Sequence, residues 1–106
     1  MRINYLTAEN IGQEFYVFCL DVGNTSRINR HVPVTKIKVE KSQYGGVSLI
    51  SDKGEIEFWT RSGTCQIYTT LEEAQTEYEI TKQKAITTLL KEIDKINHLI
   101  EKIRKL

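Results

Sequence analysis

From residue 70 to residue 106 the sequence contains neither glycine nor proline. The two residues that most readily interrupt a helix are absent there, and apolar residues recur at helical spacing. The stretch reads as one continuous helix. Thr70 suits the N-cap, and Glu73, three residues on, suits the return bond of a capping box. About 36 helical residues at about 1.5 Å each make a rod of roughly 54 Å. A chain of 106 residues has one modest core to set against such a rod. Half of the helix is therefore expected to project and to be covered by something else.

The apolar pattern divides this helix. In residues 70–85, Leu71, Ala74, Tyr78 and Ala85 are spaced to dock on the rest of the chain. In residues 86–106, Ile86, Ile93 and Ile100 fall at one heptad core position and Leu89, Ile96 and Ile103 at the other, with Leu90 and Leu99 widening the stripe. From Tyr78 to Leu89 the pattern steps by eleven residues across Lys82. That step predicts a shifted seam and a different partner for each half. Residues 86–106 are accordingly assigned to oligomerisation or to a partner helix. Isoleucine at both core positions favours more than two strands if the helices run parallel. Antiparallel pairing into a dimer or four-helix cluster is equally open, and a homodimer is the expected state. A membrane-surface helix is disfavoured, because no aromatic residue follows Tyr78 and the polar face mixes Glu with Lys.

Residues 1–69 read as a small β domain, so the fold class is α+β: a bent antiparallel sheet or barrel of five to six short strands, then one long helix with a coiled-coil-like end. Phe15 to Leu20 is apolar on both faces, as a central strand covered from two sides would be. One face would line the barrel interior and the other would meet the helix. Residues 22–30 are polar and read as a loop. Val32, Val34, Ile37 and Val39 then mark a strand with a wet face, with Pro33 near its start where an edge tolerates it. Gly45 and Gly46 supply a turn, residues 47–51 a third strand, and Asp52-Lys53-Gly54-Glu55 a tight hairpin. Ile56, Phe58 and Trp59 belong to a fourth strand, residues 61–64 to a turn, and residues 65–68 to a last strand. Residues 2–6 are an additional candidate. The β domain of residues 1–69 and the helix of residues 70–106 form a single folding unit.

Charge is nearly balanced. The formal net charge is +1, and it is nearly even along the chain: residues 1–68 carry eight Lys or Arg against seven Asp or Glu, and residues 69–106 seven of each. Such a balance argues against membrane or nucleic-acid binding through bulk charge. Glu72, Glu73, Glu77 and Glu79 precede Lys102, Arg104 and Lys105 along the helix, in the order that its dipole prefers. Residues 1–7 hold no apolar run long enough for a signal peptide or a membrane span, so a cytoplasmic location is expected. In that compartment Cys19 and Cys65 would be reduced thiols.

No residue pattern points to catalysis. A nucleophile needs a base oriented by a third group, yet His31, read as a loop residue beside Arg30, and His98, on the outer side of the heptad, lie next to no motif. Cys19, His31, Cys65 and His98 sit on separate elements without ligand spacing, so no metal is expected. Gly45-Gly46 lacks the third glycine and following helix of a phosphate-binding loop. A non-enzyme without cofactors is the reading. The alternative chemistry is a basic segment of Arg27, Arg30, His31, Lys36, Lys38 and Lys41, with Tyr44, Phe58 and Trp59 as stacking partners. Small barrels bind single-stranded nucleic acid along such grooves.

Ile67-Tyr68-Thr69-Thr70-Leu71-Glu72-Glu73-Ala74 resembles the strand-to-helix junction of small accessory proteins of bacteriophages and mobile elements. In these a compact β domain ends in a Thr-x-Glu-Glu-Ala helix start and a Lys/Glu-rich helix. The resemblance is architectural and spans the chain. It implies a protein that binds and blocks a host protein, as inhibitors of bacterial immune nucleases such as anti-CRISPR proteins do, and it transfers no functional residue. Steric occlusion by a cytoplasmic binding protein is the expected function, and a nucleic-acid-binding barrel is its alternative.

Overall fold

The computed structural model describes residues 1–22, 27–57 and 64–106. Among the described residues six strands form one antiparallel sheet: β1 (Arg2–Ile3), β2 (Glu14–Val22), β3 (Ile28–Lys41), β4 (Val47–Ser51), β5 (Gly54–Ile56) and β6 (Cys65–Tyr68), in the spatial order β1-β6-β2-β3-β4-β5. A short 3-10 turn, Ala8–Asn10, precedes β2, and α1 (Leu71–Arg104) ends the chain. The fold is α+β, and the sheet is open where a closed barrel was the alternative. Its outermost strands are only two and three residues long, which leaves little backbone available for edge-to-edge aggregation.

The expectation of a strand covered on both sides holds for β2. Phe15 and Val17 point to one face and join Ile37, Val39, Leu49 and Ile67, with Leu6 and Ile56 packed around them. Phe18 points to the other face, with Tyr16, Tyr68 and Val34, and there meets Ala74 and Tyr78 of the helix. Alternation along the strand thus feeds two small cores. Val17, Phe18 and Val39 are fully buried.

Several boundaries differ from those read in the sequence. β3 begins at Ile28, so Arg30 and His31 are strand residues: the β2–β3 pairing continues as far as Val22↔Ile28 and overrides local polarity. The ladder slips by one residue beside Pro33, a bulge that accommodates a residue with no N–H to give. β1 covers two residues because only Arg2 and Ile3 find partners, Tyr68 and Ile67. The expected turns at Gly45-Gly46 and Gly54 are present, with φ of 92°, 70° and 110°. Phe58, Trp59, the turn at residues 61–63 and most of the polar loop lie outside the described residues.

Thr70 caps the helix, its hydroxyl accepting from the Glu73 N–H at 3.3 Å. The Glu73 carboxylate receives the Met1 ammonium and the Thr70 hydroxyl, so it is occupied by the chain start. That contact holds the Glu73 carboxyl below its ordinary value, chiefly through the hydrogen bond from the amine. With 34 residues, α1 is about 51 Å long. The molecule measures 64 × 29 × 22 Å and its radius of gyration is 18.2 Å, against about 13 Å for a compact chain of this length. The helix projects, as its length demands.

Candidate functional site

The helix is fastened to the sheet through Tyr78. Its ring tilts against Phe18 at 5.2 Å between centroids and stacks on His31 at 6.0 Å. Its hydroxyl shares a 2.5 Å hydrogen bond with His31 Nε2, and the Lys82 ammonium lies 4.7 Å above the ring. Lys82 also pairs with Glu79 at 2.6 Å, which raises its pKa. Ala74 is fully buried. Leu71, expected to dock, is 43% exposed.

Beyond Ala85 the apolar stripe is uncovered. Ile86, Leu89, Leu90, Ile93, Ile96, Leu99, Ile100 and Ile103 are between 36% and 59% exposed, on average about half. The expected change of face after Tyr78 does not occur. At about 100° per residue, eleven residues complete about three turns, so Leu89 returns to the side of Tyr78. Ala85, Ile96, Ile100 and Ile103 fall within about 40° of the same direction. The free stripe therefore prolongs the face that packs on the sheet.

Where the sheet ends, that face and β2–β3 enclose a groove of about 390 Å³. Leu20, Val22 and Ile28 line it from the sheet, and Ala85, Ile86 and Leu89 from the helix. Leu20 and Val22 share the face of Phe18 by simple alternation, a signal present in the sequence but obscured by reading residues 22–30 as a loop. A neighbouring hollow extends along the helix to Ile96.

The basic segment does not assemble into one surface. His31 is engaged by Tyr78, and Lys36 is paired with Glu14 at 2.8 Å. The pair raises the Lys36 pKa and lowers that of Glu14, in both cases mainly through their hydrogen bond. Lys38 sits directly across from Glu14 in the ladder, and Glu40 follows on the same face. Arg27 lies at the rim of the apolar groove, and Lys41 closes β3. Tyr44 is exposed on the far turn.

Cys19 and Cys65 form a disulfide, which corrects the expectation of two reduced thiols. They are Cα partners across β2 and β6. Leu20 N–H bonds to Thr64 C=O next to them at 2.9 Å. The cysteines thus occupy a non-hydrogen-bonded pair, where antiparallel strands come closest. Their Cα atoms are 4.1 Å apart and both residues are buried. Forty-six residues separate them in sequence, so only the pairing of the last strand with β2 reveals the contact.

Among the described residues no group of three His, Cys, Asp or Glu side chains could hold a metal ion, and no helix is long and apolar enough to cross a membrane. Compared with known proteins, the chain matches no family model, no curated protein and no solved structure at a significant level.

Proposed function

We propose that this is a non-enzymatic binding protein that acts by protein–protein association and self-associates through the C-terminal half of α1. The observation that carries the reading is the uncovered stripe from Ile86 to Ile103. Eight side chains, each about half exposed, leave the equivalent of about four whole Leu or Ile residues in water. Burying them stabilises by about 6–12 kcal/mol per chain at about 1.5–3 kcal/mol per residue. Two chains together offset the roughly 4–15 kcal/mol that association costs. An isolated stripe of this size on a small protein marks an interaction surface.

The biological reading rests on the resemblance of the strand-to-helix junction to phage accessory proteins. It is occlusion of a host protein, of the class of bacterial defence (CRISPR) nucleases, by a homodimer or higher homo-oligomer in the cytoplasm. Occlusion requires a shaped surface and no catalytic group. Cytosolic thiols are kept reduced, so in that compartment the sheet must hold with the Cys19–Cys65 bond open.

Light scattering on the full chain tests the association, with a dimer or larger expected. Ile93→Asp/Ile100→Asp should give a folded monomer. A monomeric wild type at micromolar concentration would sink the reading. For the inhibitory role, expression in a host armed with a CRISPR nuclease should restore phage plaques, and the double variant should restore fewer. Unchanged immunity would refute that role.

A further inference from the structure

The orientation of the paired helices follows from which way the stripe faces. We propose that two copies pair antiparallel along residues 86–106, each helix end seated against the other copy's groove at Leu20, Val22 and Ile28. The inference rests on the self-association proposed above and adds its geometry.

Ala74 and Tyr78, which face the sheet, lie on the same side of α1 as Leu89, Ile96, Ile100 and Ile103. A second helix covering the stripe must therefore lie on the sheet's own side. In a parallel, in-register pair it would continue alongside residues 71–85, through the space held by β2 and β3. Both sheets would have to fit between helices whose axes pack about 8–10 Å apart, a gap that admits side chains only. Antiparallel pairing places the sheets at opposite ends and leaves the free halves in contact.

The heptad permits this arrangement. Core positions interlock when Ile93 opposes Ile103 of the second copy and Ile96 opposes Ile100, or one heptad further in, when Ile93 opposes Ile96. In either register Leu106 of the second copy comes level with residues 83–90, the stretch that lines the groove together with Val22 and Ile28. The seam and the groove form one continuous apolar surface, since Ile86 and Leu89 belong to both. Of the positions that flank the core, only those of Glu92 and Arg104 carry charge, and in neither register does either residue meet its own copy, so no like charges meet.

A spin label at Lys84→Cys on the exposed face of α1, attached with the native disulfide intact, tests the orientation. Residue 84 would lie about 10–14 residues from the two-fold axis, giving an axial separation of about 30–42 Å between labels. A dimer by light scattering with a dipolar distance in that range supports the proposal. A dimer whose distances peak below about 25 Å is parallel and overturns it, leaving self-association intact. A monomer overturns both. Ile28→Asp, at a position 62% exposed, should raise the dimer dissociation constant at least tenfold without unfolding the chain. An unchanged constant would exclude the groove as the seat.

Discussion

Reducing the Cys19–Cys65 bond should destabilise the chain substantially without altering its composition or cavities. The bond closes a loop whose ends are 46 residues apart. In the chain-entropy treatment, loop closure at that length removes about 14 cal/mol/K from the unfolded ensemble, which is about 4 kcal/mol at 25 °C. For 106 residues, an unfolding entropy near 2.1 cal/mol/K per residue converts that to a fall in Tm of about 18 °C. Because a domain of this kind holds only about 5–15 kcal/mol in total, the reduced protein should still fold, with a large part of its margin removed. The comparison is urea unfolding of oxidised and fully reduced wild type, followed by far-UV circular dichroism at one protein concentration, since dimerisation shifts the midpoint by mass action. Thiol titration must find none before reduction and two after it. Coincident transitions with two free thiols would refute the loop-entropy argument, and two titratable thiols in the untreated protein would show that the bond does not form.

Phe18→Ala should cost about 3–5 kcal/mol, as removal of a fully buried ring that touches Tyr68 and Tyr78 does; urea unfolding that shifts by under about 1 kcal/mol would show that α1 is not docked there. Stability should plateau at mid-range pH. Glu14 and Glu73 have folded pKa values below the ordinary carboxyl value, so their contribution is present above that value and disappears as pH falls through the lowered ones. Lys36, raised above 10.5, contributes below that value and loses its contribution as pH rises through the raised one. The effect of Glu14→Gln on the urea midpoint should therefore persist at pH 7 and shrink as pH falls through the lowered pKa of Glu14, and a pH-independent effect would contradict the pairing with Lys36.

Local rules made much of this protein legible. A capped helix without Gly or Pro, the two-faced strand around Phe15 and Phe18, and the turns at Gly45-Gly46 and Gly54 each depend on residues a few positions apart. The candidate site was half legible. The eight stripe residues were found by periodicity, but the groove was missed because Leu20, Val22 and Ile28 come from strands whose ends only pairing defines. His31 illustrates the same limit: polar neighbours read as a loop, whereas the ladder with Leu20 makes it a strand residue facing Tyr78. The setting of the basic segment was hidden for a related reason, since the ladder places Lys36 and Lys38 beside Glu14.

By itself the sequence determined the length of the helix, its exposed isoleucine seam and the α+β division, because backbone propensity and periodicity are short-range properties. Only the tertiary structure decided that Cys19 meets Cys65, that the sheet stays open and that the free seam shares the sheet's side of the helix. Each of these depends on how strands distant in sequence align. A one-residue change of register would turn every side chain to the opposite face, and no local pattern records that choice.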